Sequence, residues 1–134
     1  NNLGSVDEII EICKIDEILM PAIDFGHINS FTGGGLKTYD DFLKLLNKFI
    51  ENLGYDKMKH FHSHFSRIEY TSQGEKKHWN YEDKEYEPDF EPLAEALIKL
   101  GLEPVIICES KDYMAEDAII LQNIYKDFLE KKVM

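Results

Sequence analysis

Metal-binding side chains stand at the ends of three short apolar segments of this sequence. Ala22-Ile23-Asp24 ends in a carboxylate, with an imidazole three residues further on at His27. Phe61-His62 ends in an imidazole, and Ile107-Cys108-Glu109 ends in a carboxylate. A buried carboxylate needs a compensating charge, and two oxygen ligands with one nitrogen suit zinc or manganese. The pattern predicts that Asp24, His62 and Glu109 bind one metal ion.

Each of these residues also has an ordinary structural interpretation. Asp24 could cap a turn, and His27 could be a loop histidine without a ligand. His62 belongs to an alternating run in which His60 is best explained as a hydrogen-bonded histidine, while His64 stays open between a structural and a metal-binding role. The recurrence at three strand ends favours the metal interpretation, because the carboxyl ends of parallel strands meet at one face of a barrel.

A second acid–imidazole pair lies in the segment 63–89. Glu75 and His78 are separated by two lysines, and Gly74 allows a sharp turn of the backbone before them. The segment has no clear periodicity and is long for a compact domain, which is typical of a functional loop. We expect this active-site loop to bring Glu75 and His78 to His27 as ligands of a second metal ion. The alternative is that both are exposed polar residues.

The elements that must position these residues are indicated by caps and apolar spacing. Ser5 and Glu8 match a capping box, and Gly54 and Gly101 are natural helix ends. One domain over residues 1–134 is predicted, with helices at 5–15, 39–53, 90–100 and 114–131, strands at 18–24, 57–62 and 104–109, and the active-site loop at 63–89.

The predicted fold class is α/β, namely the C-terminal portion of a (β/α)8 TIM barrel. Parallel strands joined by helices need both sheet faces covered, three of them cannot close a barrel, and a closed barrel takes about 250 residues. The chain opens on Asn1-Asn2-Leu3-Gly4 without an initiator methionine. We therefore expect the earlier strands to lie outside this sequence, and the open sheet edge predicts self-association of the fragment.

Composition narrows the function classes. The 134 residues carry 26 Asp and Glu and 15 Lys and Arg side chains, a net charge of -11. This acidity is unlike a nucleic-acid-binding surface, although a metal cluster would neutralise part of it. Cys13 and Cys108 lack a CxxC partner and no apolar run approaches the ~20 residues of a membrane span, which predicts a soluble cytoplasmic protein. Without a phosphate-binding glycine motif or a nucleophile elbow, metal-assisted hydrolysis or isomerisation remains.

Several segments together resemble the C-terminal half of the endonuclease IV family. They are Ile23-Asp24-Phe25-Gly26-His27, Gly35-Leu36-Lys37-Thr38, Phe61-His62, Gly74-Glu75-x-x-His78 and Ile107-Cys108-Glu109. The resemblance spans nearly the whole chain. It implies a TIM barrel of the xylose isomerase-like superfamily, a trinuclear zinc centre and apurinic/apyrimidinic endonuclease activity on DNA.

The resemblance also implies roles for individual residues. Asp24, His62 and Glu109 match ligands of one zinc, shared with a glutamate on a strand that this chain lacks. His27 matches a ligand of a second zinc, for which Glu75 stands in place of an aspartate and His78 is displaced by one residue. Asp24 and Glu109 are also the expected catalytic residues. The remaining histidine ligands would lie in missing strands, so the fragment alone is expected to be inactive.

Two functions therefore compete. The first is a zinc-dependent endonuclease that cleaves DNA 5′ to an abasic site, with metal-bound hydroxide attacking phosphorus. The second is a sugar isomerase or epimerase of the same superfamily with a single zinc, manganese or cobalt ion. Glu75 and His78 favour the nuclease, whereas the acidity and the displaced histidine favour the isomerase. A non-enzymatic barrel is hard to reconcile with a ligand type at every strand end.

Overall fold

The computed structural model describes residues 5–133, apart from the side chain of Val133. The helices are α1 (Val6–Ile15), α2 (Phe25–Phe31), α3 (Tyr39–Leu53), α4 (Tyr55–Met58), α5 (Glu91–Leu100) and α6 (Met114–Val133), and the strands are β1 (Ala22–Asp24), β2 (His62–Phe65), β3 (Arg67–Thr71), β4 (Gly74–Trp79) and β5 (Val105–Cys108). None of these helices is long and apolar enough to cross a membrane.

Three strands form a parallel sheet in the order β1-β2-β5. Its register pairs Asp24 with His64, and His64 with Ile107. Helices connect the strands, as parallel pairing requires, so the fold is a mixed α/β fold with a parallel sheet. This confirms the predicted α/β class, while the TIM barrel stays a prediction. β3 and β4 form a separate antiparallel hairpin, with an irregularity between Glu69 and Tyr70.

The two faces of the parallel sheet have opposite surroundings. Ile23, Ser63 and Phe65 point to one face and are at most 1% exposed. That face shares a single apolar core with α3, α5 and α6. Because side chains alternate along a strand, the other face carries Asp24, His62, His64, Val105 and Ile107. Val105 and Ile107 are 45% and 48% exposed, so within residues 5–133 this second face is largely uncovered.

Caps and apolar spacing predicted the long helices correctly. The Ser5 side chain accepts a hydrogen bond from the Glu8 amide at the start of α1. Thr38 and Asp41 form a reciprocal capping box at the start of α3. The four predicted helices and the predicted strand 104–109 agree with the observed bounds to within two residues at each end.

The predicted strand at 57–62 is wrong. Gly54, with φ at +92°, ends α3 and leads directly into the helical turn α4, which buries Met58 completely. The sheet strand begins only at His62 and runs to Phe65. The alternation of polar and apolar residues around Met58 was interpreted as a strand. A single helical turn can bury Met58 equally well, so the alternation did not distinguish the two structures. His62 is therefore the first residue of its strand and not the last.

Two further predictions need correction. The strand predicted at 18–24 is confined to Ala22–Asp24, and Ile18 is 83% exposed before it. The predicted loop 63–89 contains all of β2 except its first residue, together with β3 and β4, so its central part is a hairpin and not an irregular loop. The sequence analysis also missed α2, which is only seven residues long and starts directly at the end of β1.

Candidate functional site

Asp24 lies where β1 passes into α2 and serves as the cap of that helix. Its Oδ1 accepts a hydrogen bond of 2.9 Å from the backbone amide of His27. Burial raises the pKa of Asp24, and the neighbouring carboxylates of Glu109 and Glu75 raise it further, against the lowering effect of the hydrogen bond from His27. The structural role as a cap is thus confirmed. The same carboxyl group also lies in a place where a cation would be favoured.

His64, and not His62, lies level with Asp24 in the sheet. The register pairs Asp24 with His64 and places His62 beside Ala22, two residues nearer the amino end of the strand. The Nδ1 atom of His64 contacts Oε1 of Glu109, which follows the last residue of β5. Asp24, His64 and Glu109 therefore come from three adjacent strands at their carboxyl ends. His62 lies on the same face, and its role as a ligand stays a prediction.

Glu75 links the two histidines that the sequence analysis assigned to a second site. Its Oε1 lies 3.4 Å from Nδ1 of His27, and its Oε2 lies 3.9 Å from Nε2 of His78. All three side chains are about one third exposed (33–34%). The hairpin therefore brings Glu75 and His78 to His27, as the sequence predicted. The Nδ1 atom of His78 also lies 2.7 Å from the hydroxyl of Ser66.

The hairpin can approach α2 only because residue 26 is a glycine. A Cβ atom added at Gly26 would lie 2.6 Å from Cδ1 of Ile68 and 2.8 Å from the carbonyl oxygen of Ser66. Real side chains do not tolerate such distances, so any larger residue would separate helix and hairpin. At the other end of the hairpin Gly74 has a φ of +112°, which favours glycine. These two glycines fix where Glu75 stands relative to His27.

Arg67 holds the chain beyond the hairpin in place. Its guanidinium is 2% exposed and donates to the carbonyls of Tyr81 and Tyr86, at 2.7 Å each, and to Oδ1 of Asp89 at 2.6 Å. It also lies 4.1 Å from the ring centroid of Tyr81. Sequence analysis placed Arg67 in the active-site loop, but the structure shows a residue that organises the backbone. A lone arginine in a polar segment carries no signal that distinguishes these roles.

Of the six predicted ligands, the structure brings His27, Glu75 and His78 together, while Glu109 contacts His64 and, among the described residues, His62 contacts none of the other five. Within residues 5–133 no group of three or more His, Cys, Asp and Glu side chains has the arrangement of a metal site. These side chains nevertheless offer oxygen and nitrogen donors of the kind that zinc and manganese bind. Nε2 of His27 is buried without a hydrogen-bond partner among the described atoms. A cation beside Asp24 would favour the ionised form of its carboxyl group.

Comparison with known proteins identifies an uncharacterized archaeal relative of this chain. No protein-family model and no solved structure matches the chain. An uncharacterized protein of Methanocaldococcus jannaschii is 31% identical over 124 residues, which are 92% of this chain and 44% of that protein. The chain thus spans less than half the length of this relative. The fold class and the site geometry are therefore supported by the structure of this chain alone. The activity of the longer protein can only be proposed.

Proposed function

We propose that this chain is the C-terminal half of a metal-dependent TIM barrel enzyme resembling endonuclease IV. In this proposal the complete protein uses zinc to hydrolyse the phosphodiester bond 5′ to an abasic site in DNA. The observation that carries the proposal is the meeting of Glu75 and His78, from the hairpin, with His27 and Asp24, at the end of β1. A single-ion site at the strand ends would not need this second group of donors.

The uncovered face of the parallel sheet supports the proposal of a TIM barrel. In a TIM barrel one face of the sheet packs against helices and the other lines a closed interior filled by branched apolar side chains. Val105 and Ile107 are branched and half exposed on the uncovered face. The relative is more than twice as long as its matched segment, which leaves room for the roughly 250 residues of a closed barrel. Additional strands would extend the sheet and bury both side chains.

The residues of the chain have distinct roles in the proposed reaction. Asp24, Glu109 and a histidine of β2 would hold one ion, and His27, Glu75 and His78 another. Bound zinc would supply Lewis acidity and lower the pKa of a coordinated water. The contact between His64 and Glu109 orients the imidazole, and Asp24 would be kept ionised by the ion although burial favours its neutral form. The missing strands would contribute the remaining ligands.

The sugar isomerase or epimerase remains the alternative because of Asp24 itself. Burial and the neighbouring carboxylates raise the pKa of Asp24, and a carboxyl group that holds its proton more tightly is better suited to act as a general acid or base. The net charge of -11 also agrees better with a small sugar than with a polyanion. In this alternative one zinc, manganese or cobalt ion binds at the strand ends and His27 contacts the substrate.

Metal content of the full-length protein tests the proposal. We expect two or three zinc ions per chain by elemental analysis after purification without added metal. The double substitution Glu75→Ala with His78→Ala should remove about one ion and abolish cleavage of abasic DNA, while the exposed pair Glu82→Ala with Lys84→Ala serves as control. Unchanged zinc content in the Glu75→Ala, His78→Ala variant would exclude the multi-metal site. A single ion in the parent protein, with activity on ketoses, would establish the isomerase.

A further inference from the structure

Two lysine ammonium groups lie over the same tryptophan ring at the end of the hairpin. Nζ of Lys77 is 4.3 Å and Nζ of Lys111 is 4.9 Å from the ring centroid of Trp79. The ring of Tyr86 stacks on Trp79 with a centroid distance of 5.0 Å and an interplanar angle of 13°. No ammonium group fits between two rings at that spacing, so both lysines occupy the opposite face of Trp79.

Asn80 links the two segments of the chain that carry the lysines. Lys77 belongs to β4, whereas Lys111 belongs to the loop after β5. The side-chain oxygen of Asn80 accepts hydrogen bonds from the backbone amides of Asp112, at 2.9 Å, and Tyr113, at 3.3 Å. These bonds tie the loop after β5 to the end of β4. Lys111 is two residues beyond Glu109, so the lysine pair stands at the same end of the sheet as the candidate site.

The positive charge of this pair is only partly compensated. In the described part of the chain neither Lys77 nor Lys111 forms an ion pair within 4.0 Å. Glu69 lies opposite Lys77 in the hairpin, but its carboxylate is engaged by Lys76 at 3.1 Å and by Nε1 of Trp79 at 3.1 Å. Contact with the Lys111 side chain, followed by desolvation, lowers the pKa of Lys77, while Glu69 and Asp112 oppose this effect only in part. Two cations held together in this way favour an anion between them.

We propose that Lys77 and Lys111 bind a phosphate group of the substrate that is not the reacting one. Tetrahedral phosphate oxygens can accept charge-assisted hydrogen bonds from both ammonium groups. The cation–π contacts with Trp79 position the two side chains before the ligand arrives. The link to a substrate rests on the proposed function, since a phosphodiester next to an abasic site has flanking phosphates. Binding of phosphate at the pair does not depend on it.

Trp79 is the only tryptophan of the chain, so its fluorescence reports on this pair directly. The experiment is a titration of the protein, freed of metal by a chelator, with inorganic phosphate at constant ionic strength maintained by chloride. We expect a saturable change in Trp79 emission. Lys77→Gln and Lys111→Gln should each weaken binding about tenfold or more, the effect of losing one charged hydrogen bond. Lys126→Gln, an exposed position on α6, is the matched control and should bind as the parent does.

Competition then identifies the source of the phosphate. A short oligonucleotide that displaces inorganic phosphate in the parent, but not in the two lysine variants, would support a polynucleotide phosphodiester. Displacement by a sugar phosphate alone would support a phosphorylated sugar and the isomerase alternative. Because the protein is metal-free, loss of hydrolysis cannot imitate either result. No change in emission, or equal affinity in the parent, Lys77→Gln and Lys111→Gln, would overturn the proposal.

Discussion

Substitution of Gly26 by alanine should destabilise the protein and move the hairpin residue Glu75 away from His27 on α2. The added Cβ would stand 2.6 Å from Cδ1 of Ile68, 2.9 Å from its Cγ1 and 2.8 Å from the Ser66 carbonyl oxygen. The Ile68 side chain can turn away, but the backbone oxygen cannot. Overpacking of this kind costs about 1–3 kcal/mol, whereas replacing a helical glycine by alanine returns about 1 kcal/mol. A net loss of up to roughly 2 kcal/mol is therefore expected.

Urea unfolding, monitored by far-UV circular dichroism, measures the lower free energy of unfolding of Gly26→Ala as a lower midpoint. The double variant Gly26→Ala with Ile68→Ala relieves only the side-chain contact, so a double-mutant cycle separates the Ile68 contribution from that of the Ser66 oxygen. Because Gly26 also sets the distance between His27 and Glu75, Gly26→Ala should weaken zinc binding in the full-length protein. A Gly26→Ala variant as stable as the parent, with unchanged zinc affinity, would refute the reasoning about this contact.

Two other substitutions test the electrostatics around the site. Metal-free Asp24→Asn should be more stable than the parent at pH 7 and as stable as the parent near pH 3. The pKa of Asp24 is raised in the folded state. The parent therefore loses stability as the pH rises above 3.8, the pKa of this carboxyl group in the unfolded chain. Urea midpoints at both pH values check this, and a destabilised variant at pH 7 would contradict it. Arg67→Met should cost about 2–4 kcal/mol by leaving the carbonyls of Tyr81 and Tyr86 without this donor. Asp89→Asn should cost less, because the amide oxygen can still accept the hydrogen bond from the guanidinium. Equal losses would contradict the assigned roles.

Helix ends were the most predictable part of this chain because their signals are local. Thr38 and Asp41 satisfy each other's backbone amides, and Gly101 adopts the left-handed conformation with φ at +67°. Both depend on residues within one turn of each other. The seven-residue helix α2 has a local cap but is too short to show a periodic apolar face. Its start is fixed by Asp24, which sequence analysis considered chiefly as a ligand.

Strand register was less predictable because it depends on distant packing. The run from His60 to His64 alternates in a way that is compatible with more than one strand start. Only the burial of Phe61 and Phe65 in the core, at 0% and 1% exposure, places His64 beside Asp24. The meeting of Glu75 with His27 could be predicted from the two acid–imidazole pairs. The lysine pair over Trp79 could not, because Asn80 joins segments that are more than 30 residues apart.

The hairpin is the element that separates the two proposed functions. A single ion needs only the donors at the ends of the parallel strands, and those of β1, β2 and β5 would be present without β3 and β4. The hairpin reaches α2 only because residue 26 is a glycine, and Oε1 of Glu75 then lies 3.4 Å from Nδ1 of His27. A second ion held by His27, Glu75 and His78 would give this close approach a use, which is why we place the nuclease ahead of the isomerase.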